Sequence, residues 1–267
     1  MTSSSSLDAL RERAHDCTRR AHTPFSDEPT AAVLLLDDGT WIPGVRVESA
    51  SFSLTLPALL NAYTTAVTLS RAPDVVAFVL SRPFRREETL YVEELPHGTY
   101  DACAPDAWIR SPGGDGSVPA VDEPLSPDLA ETIATEHEGI RTARTVADNA
   151  HVPSSGYPVG ALAETADERL IPGVNVEHPD WARILCAERN ALGTSISYGT
   201  GPVRRVFLSC LEDDEGTPCG ACRQLLAERA PDAALWMDRH EQPPEHASIS
   251  SLLPGSFRGR ALFDSTA

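Results

Sequence analysis

Lysine is absent from this sequence, so all 22 basic residues are arginine, and 39 acidic residues outnumber them. The formal net charge is −17 at pH 7. Affinity for nucleic acids comes largely from basic side chains that neutralise phosphates, so this composition argues against a polynucleotide substrate or partner. The excess of acidic residues predicts a solvated acidic surface, with adaptation to high salt as the alternative explanation.

Long apolar runs are also missing. Residues 2–6 are polar and residues 7–13 are rich in charge, so we expect that the N-terminus lacks the apolar core of a secretory signal. No later run approaches the length of a membrane span. Six cysteines in 267 residues, three of them in one constellation, do not make a disulfide framework. We therefore expect a globular cytoplasmic protein that does not associate with membranes.

Three cysteines form the most informative pattern in the chain. Cys186 is followed 33 residues later by Cys219, which with Cys222 belongs to a Pro-Cys-Gly-Ala-Cys sequence, and Glu188 lies two residues after Cys186. Structural zinc sites almost always use four protein ligands, whereas catalytic sites use three and leave the fourth position to water. The pattern therefore predicts a catalytic zinc site. Cys186 and Cys219 each begin a predicted helix, and a helix N-terminus favours the thiolate form.

The spacing has the form of the zinc nucleobase deaminase signature. Further stretches match the same family, and the chain resembles the cytidine deaminase family in its three-cysteine form over roughly residues 127–260. The stretches that carry the resemblance are residues 157–161 (Tyr-Pro-Val-Gly-Ala), 173–177 (Gly-Val-Asn-Val-Glu), 186–189 (Cys-Ala-Glu-Arg), 218–224 and 252–257.

The resemblance implies deamination of cytidine and deoxycytidine to uridine and deoxyuridine in pyrimidine salvage. One zinc ion per chain would activate a water, and Glu188 would transfer protons as general acid and base. Asn175 and Glu177, which alternate on one strand face, would bind the ribose hydroxyls. Tyr157 would flank the base.

Two further residues have implied roles. Arg189 resembles the family arginine that offsets the negative charge of three thiolates. Phe257 resembles a phenylalanine that the family takes from a neighbouring subunit, and two copies of the fold per chain would then predict a homodimer. After Glu177 the sequence departs from the family pattern with His178-Pro179-Asp180-Trp181.

The sequence also contains an internal repeat. Shifting it by 129 places aligns residues 42–48 (Ile-Pro-Gly-Val-Arg-Val-Glu) with residues 171–177, and residues 21–78 share 20 identities in 58 positions with residues 150–207. In the first copy, Pro57 and Leu59 occupy the positions of Cys186 and Glu188, and Arg46 that of Asn175. We infer a degenerate N-terminal copy that is retained for assembly.

The boundary between the copies is predicted from composition. Residues 112–126 are rich in Gly, Pro and Asp without periodicity, as linkers are. The prediction is a degenerate domain at 1–111, a linker at 112–126 and a catalytic domain at 127–267. Each copy reads as a polar helix (about 7–22 and 127–149), two apolar strands, a helix and a third strand. Residues 31–36 and 75–80 have the unbroken apolar character of buried strands.

The resemblance implies an α/β fold with two tandem copies of a three-layer α/β/α unit, each with a mixed sheet of about five strands.

The sequence is also compatible with other interpretations of the site. Cys210 could complete a structural zinc site, or residues 219–222 could be a redox pair. His178 fits either a loop or the pocket wall, and Trp181 is more typical of a core position than of a substrate stack.

Three functions are compatible with the sequence. The first is a cytidine deaminase, the second is a deaminase of the same chemistry that acts on another aminopyrimidine nucleoside such as a nucleoside antibiotic, and the third is a zinc-stabilised assembly module without enzymatic activity. Glu188 separates the third from the first two, because a purely structural site has no need of an acid beside the metal.

Overall fold

The computed structural model describes residues 3–111, 118–257 and 259. They form two α/β units, each built on one five-stranded sheet. The elements of the first unit are α1 Ser3–Cys17, β1 Ala31–Leu36, β2 Trp41–Val45, α2 Ala58–Thr68, β3 Val75–Leu80, α3 Arg86–Glu93, β4 Tyr100–Ala104 and β5 Ala107–Arg110. Those of the second are α4 Glu136–Ala147, β6 Val159–Thr165, β7 Leu170–Val174, α5 Ala187–Tyr198, β8 Val203–Cys210, α6 Gly220–Arg229, β9 Ala234–Arg239, β10 Gln242–Ser248 and α7 Ile249–Leu252.

The central strands are buried on both faces, as the unbroken apolar runs predict. Every residue of β1 is fully buried. Val33 and Leu35 belong to the core cluster that includes Leu10 of α1, whereas Leu34 belongs to the cluster that includes Leu59 of α2. Helices therefore cover both faces of the sheet, and the predicted three-layer arrangement is confirmed.

The two sheets differ in strand direction, which corrects the expectation of a mixed sheet in each copy. The second sheet, in the order β10-β9-β8-β6-β7, is mixed because β8 and β9 run parallel. The first, in the order β2-β1-β3-β5-β4, is antiparallel throughout. In each unit the last two strands form an antiparallel hairpin, because a tight turn joins them. Whether the sheet is mixed therefore depends on which strand of this hairpin pairs with β3 or with β8. In the first copy it is the returning strand, β5, and the amide of Leu80 donates to the carbonyl of Asp106 in its turn.

The polar helix of the second copy begins later than the sequence prediction of about residue 127. It begins at Glu136 because Thr135 caps it: the Thr135 hydroxyl accepts from the amide of Glu138, and the Glu138 carboxylate accepts from the amide of Thr135. This reciprocal arrangement satisfies amide groups at the first turn that have no partner within the helix. The corresponding helix of the first copy ends at Cys17 rather than at about residue 22.

Part of the predicted linker, residues 112–117, lies outside the described residues. The following stretch, residues 118–129, is named here the connecting segment. It runs along the edge strands of both sheets: the amide of Leu125 donates to the carbonyl of Trp41 in β2, and the amide of Leu129 donates to the carbonyl of Leu170 in β7. The segment therefore covers two strand edges that would otherwise expose unpaired backbone groups.

The two copies are related by an approximate two-fold axis. Asn61 donates to the carbonyl of Gly193, and Asn190 donates to the carbonyl of Thr64. Residues 61 and 190, and residues 64 and 193, are each separated by the repeat offset of 129. Reciprocal contacts of this kind are typical of a two-fold interface between identical subunits. Both hydrophobic core clusters contain residues of both copies, so the interface is continuous with the core.

Among the helices that the structure describes, none is both long and apolar enough to cross a bilayer.

Candidate active site

The predicted metal ligands lie at the N-termini of two helices. Cys186 is the residue before the first turn of α5, and Cys219 holds the same position in α6. Both are N-cap residues with extended backbone angles. They therefore lie at the helix ends whose first backbone amides have no partner within the helix. Cys222 lies in the first turn of α6. The helices begin where the sequence predicted, and they bring the three thiols together.

The three sulfur atoms form a compact group. The Sγ atoms of Cys186 and Cys219 are 3.6 Å apart, and all three sulfurs lie within 4.8 Å of one another. Tetrahedral zinc with Zn–S bonds of about 2.3 Å places its sulfur ligands about 3.8 Å apart. Cys222 is buried, Cys186 is half-buried and Cys219 is exposed. The group therefore fits a zinc ion and faces solvent on one side.

The thiols differ in acidity because they share hydrogen bonds. The pKa of Cys219 is lowered because its sulfur accepts from the thiols of Cys186 and Cys222 and from backbone amides at the start of α6. Burial raises the pKa of Cys222. A bound cation would favour ionisation of all three thiols, since metal binding releases ligand protons.

Glu188 lies beside the thiols, inside the protein. Its Oε2 atom is 3.2 Å from the Sγ atom of Cys222, and only 4% of the residue is exposed. Burial raises the pKa of Glu188 to about 6. A carboxyl group with a pKa near the working pH is suited to accept and release a proton in one reaction cycle.

Arg189 provides an independent test of whether the group fits a metal. One guanidinium nitrogen, Nη2, donates to the carbonyl of Leu54 in the first copy at 3.1 Å. Its Nε atom is buried and has no hydrogen-bond partner among the residues that the structure describes. Burial of a hydrogen-bond donor without a partner lowers the stability of the fold. Three thiolates around one divalent cation carry a net negative charge, which would compensate for this cost. Arg189, which follows Glu188, can supply the positive charge that offsets it.

Cys210 is not part of the sulfur group. It is buried at the end of β8, and within the described ranges only Cys186, Cys219 and Cys222 bring ligand atoms close enough for one metal. The half-buried side chain of Tyr157 lies near Cys210 and donates its hydroxyl to Asp213 at 2.9 Å. The group therefore offers three thiols to a metal rather than the four protein ligands of a structural site.

Asn175 and Glu177 follow β7, on either side of a residue that is paired with the segment leading to Cys186. Between them, Val176 exchanges two backbone hydrogen bonds with Leu185, the residue before Cys186. The Asn175 side chain accepts from the amide of Val159 at 2.8 Å and donates to the carbonyl of Tyr157 at 2.9 Å. These contacts fix the amide group at the end of the strand.

The Glu177 carboxylate accepts from the amides of Ser154 and Ser155. Glu48, its equivalent in the degenerate copy, accepts from the amides of Phe25 and Ser26. Each acceptor and donor in this second set lies 129 places before its counterpart. Glu177 thus anchors a loop in a way that does not depend on a metal site, in addition to any contact with substrate.

The first copy contributes a loop to the site that sequence reasoning missed. Besides the carbonyl of Leu54, the Ser49 hydroxyl and the Ala50 amide donate to the carboxylate of Glu228 on α6. The repeat offset was the one available signal, because it makes residues 49–54 equivalent to residues 178–183. It gave no indication that the loop crosses to the other copy.

The equivalent loop of the second copy covers the degenerate site. The ring of His178 stacks on that of Tyr91 with centroids 5.1 Å apart, and Arg183 lies over the same tyrosine. His178 is therefore part of the contact between copies. Trp181 is 84% exposed, so the expectation that it belongs to the core is wrong. Trp181 is exposed although Arg183, two residues later, lies in the contact.

A cavity of about 70 Å³ remains at the degenerate site, lined in part by Pro57, Leu59 and Leu60. These residues occupy the positions of Cys186, Glu188 and Arg189. The predicted ligand Cys186, the predicted acid Glu188 and the charged Arg189 thus have apolar equivalents in the first copy.

Comparison with known proteins identifies the family. Two family models match the chain, and both describe the cytidine and deoxycytidylate deaminase zinc-binding region, one at residues 134–236 and one at residues 1–81. The cytidine deaminase of Halalkalibacterium halodurans is 32% identical over 126 residues, which are 47% of this chain and 96% of that protein. The chain belongs to the cytidine deaminase family.

Other cytidine deaminases show the same partial coverage. That of Mycobacterium tuberculosis is 36% identical over 118 residues, 43% of this chain and 84% of its own length. The solved cytidine deaminase of Burkholderia pseudomallei is 30% identical, covers 46% of this chain and 99% of its own, and has a TM-score of 0.44. The two curated relatives match under half of the chain, as a duplicated architecture predicts. The predicted family, the two-copy α/β fold, the enzyme class and zinc as cofactor are confirmed.

Proposed function

We propose that this cytidine deaminase family member converts cytidine and deoxycytidine to uridine and deoxyuridine, with release of ammonia, in pyrimidine salvage. The observation that carries the proposal is the 3.2 Å contact between the Glu188 carboxylate and the Cys222 sulfur inside a three-thiol group. A structural zinc site has no need of a buried acid beside its ligands. A hydrolytic site needs one to move protons between water, ring and leaving group.

Cys186, Cys219 and Cys222 are the proposed zinc ligands. Zinc, when bound, supplies Lewis-acid activation of a water molecule. Glu188 accepts a proton from the attacking water and delivers it to the ring nitrogen next to the carbon under attack. It then takes the second water proton and transfers it to the departing amino group, so that water and cytidine become uridine and ammonia. Arg189 holds its charge beside the thiolates while this carboxylate changes its protonation state.

Asn175 and Glu177 are the proposed contacts to the sugar hydroxyls. Their support is their position on either side of Val176, which is paired with the residue before Cys186. Asn175 keeps acceptor and donor capacity beyond its two backbone contacts, because an amide oxygen has two lone pairs and an amide nitrogen has two protons. A sugar-binding pair favours ordinary nucleosides over free bases.

A deaminase of another aminopyrimidine nucleoside is the second candidate. The sequence departure at residues 178–181 was the feature that favoured it. The stacking of His178 on Tyr91 directs that residue toward the first copy, which supports a role for it in the contact between copies rather than in the base pocket. We therefore propose cytidine and deoxycytidine ahead of other aminopyrimidine nucleosides. The third candidate, a zinc-stabilised assembly module, leaves Glu188 without a role.

We also propose the organisation of the whole chain. Residues 1–111 would form a non-catalytic copy, residues 112–126 the connection and residues 127–267 the catalytic copy, and two chains would form a homodimer. Six free cysteines and an acidic surface favour a reducing compartment, the cytoplasm, and no nucleic-acid partner.

The test is an ultraviolet assay of purified, zinc-quantified protein against a panel of aminopyrimidine nucleosides. Cytidine and deoxycytidine should be the best substrates. Glu188→Gln should retain one zinc per chain and lose at least about a hundredfold in kcat, the usual range for general acid–base catalysis. Glu241→Gln, in the exposed turn between β9 and β10, is the matched control and should keep full activity. Full activity in Glu188→Gln would refute the catalytic assignment.

A further inference from the structure

A second concave site lies far from the sulfur group. It is an open cavity of about 630 Å³, lined by the end of α1, β2, the connecting segment and the end of α5. Cys186 precedes one end of α5 and Tyr198, which lines the cavity, ends it. At 1.5 Å per residue, this twelve-residue helix separates the two sites by about 18 Å. The cavity is therefore distinct from the proposed catalytic site.

Its lining is rich in arginine in a strongly acidic chain. Arg13, Arg19, Arg20 and Arg169 face it, together with the carboxylates of Asp16 and Glu123. Arg19 pairs with Asp16 at 2.8 Å, and Arg169 pairs with Asp128 at 3.0 Å. Arg13 and Arg20 form no ion pair with any described residue, which leaves two guanidinium groups against the single carboxylate of Glu123. The local balance is positive, although the chain carries −17 overall.

The internal repeat shows that the contact made by Arg20 at the end of α5 does not require a charged side chain. Arg20 donates to the carbonyl of Ser197 at 2.9 Å. At the symmetry-equivalent place, Asn149 donates to the carbonyl of Thr68 at 3.0 Å. Both pairs differ by 129 positions, so a neutral side chain is sufficient for this contact at the end of a central helix. The positive charge of Arg20 is an addition specific to the cavity.

The remaining walls are apolar. The guanidinium of Arg13 lies 5.9 Å from the ring centre of Trp41, and Pro43, Pro124 and Leu125 complete this side. Arginine presents planar donors that match phosphate oxygens, and ring surfaces favour an organic group next to the anion. The volume lies within the range of small-molecule and cofactor sites.

We propose that this cavity binds an organic phosphate of nucleotide size, with the phosphate on Arg13 and Arg20 and the organic group against Trp41 and the proline-rich connecting segment. The site is built from three parts of the chain: the first copy, the connection and the second copy. It would occur once per chain, because Thr142 and Asn149 occupy the positions equivalent to Arg13 and Arg20.

The test is isothermal titration of the full-length, zinc-loaded protein with UTP, pyrophosphate and uridine as separate probes. UTP should bind saturably, one per chain, and excess uridine should not displace it. Arg20→Asn retains the contact that Asn149 makes and should weaken UTP binding about tenfold, as loss of one charged hydrogen bond does. Its deaminase activity should be unchanged.

Arg86→Gln is the charge-matched control, since Arg86 is exposed on α3 and does not line the cavity. It should leave UTP affinity within about twofold of the parent, because a remote surface charge is screened by salt. The proposal is overturned if UTP shows no saturable binding at millimolar concentration, if uridine displaces it, or if Arg86→Gln weakens it as much as Arg20→Asn. Equal affinity for pyrophosphate and UTP would overturn the role of the apolar wall.

Discussion

The hydroxyl groups of Thr65 and Thr194 lie 2.7 Å apart, and both side chains are buried. The two residues are separated by 129 positions, so each is the other's equivalent in the repeat. A residue that contacts its own equivalent lies on the two-fold axis. The contact therefore locates the axis between α2 and α5, at the centre of the molecule.

Single and double substitutions of this pair should give unequal, non-additive effects. Thr65 also donates to the carbonyl of Asn61, whereas no other partner is recorded for the Thr194 hydroxyl among the described residues. Thr65→Val should reduce the free energy of unfolding by about 1–3 kcal/mol, because it leaves the buried Thr194 hydroxyl unpaired. Thr194→Val should cost less, and the double variant should recover part of the loss.

Urea denaturation of the four proteins in this cycle measures the coupling. Thr30→Val, a buried threonine outside the axis, is a suitable control. If the two single effects simply add, the hydroxyls do not interact across the axis in solution.

The sequence predicted the elements that the two copies share. The strands expected at 31–36 and 75–80 are β1 and β3 with the same bounds, because a run buried on both faces has a clear apolar signature. Cys186 and Cys219 were predicted to begin helices, and they do. The proximity of Glu188 to the thiols was implied by the resemblance to the deaminase signature, and the structure places its carboxylate 3.2 Å from the sulfur of Cys222.

Other features had no local signal. The order of β4 and β5 depends on how a hairpin returns to the sheet, which neighbouring residues do not specify. The stacking of His178 on Tyr91 and the hydrogen bond from Arg189 to Leu54 join the two copies. Contacts of this kind depend on the relative position of two folded units, so a pattern within one unit does not predict them.

Zinc content should distinguish the three proposed ligands from Cys210. Cys219→Ala should lose most of the bound zinc, because it removes one of three protein ligands. Cys210→Ala should keep one zinc per chain and lose only a small amount of stability, since this buried thiol lies outside the sulfur group. Metal analysis of both variants after dialysis gives the answer. Loss of zinc from Cys210→Ala would indicate a four-cysteine structural site.

The loss of deaminase activity that follows removal of the metal should be reversible. A chelator should abolish deamination, and one equivalent of zinc should restore it, because the second copy retains its fold through a core that includes residues of the first. Circular dichroism during the treatment monitors the fold. Activity that persists in protein shown to be free of metal would contradict the zinc assignment.

Glu228 should affect substrate binding from outside the sulfur group. Its carboxylate accepts from Ser49 and Ala50, which belong to the loop whose Leu54 carbonyl contacts Arg189. Glu228→Ala should free this loop and raise KM for cytidine by about tenfold, the size expected for lost hydrogen bonds to a charged group. Zinc content should not change. Glu241→Ala serves as the control, and an unaltered KM in Glu228→Ala would show that the loop does not shape the pocket.

Self-association should depend on exposed aromatic residues. Phe52 and Trp181, equivalent in the repeat, are 88% and 84% exposed, and Phe257 is 56% exposed although its carbonyl is bound by Gln224 at 2.6 Å. Large apolar side chains in such positions are typical of protein interfaces. Sedimentation should therefore give a mass of two chains, and the Phe52→Ser/Trp181→Ser variant should shift toward one chain because it removes apolar contact area.

Phe257→Ser should raise KM more than it weakens the dimer if this ring reaches the neighbouring site. A single-chain mass for the parent at micromolar concentration would contradict both expectations.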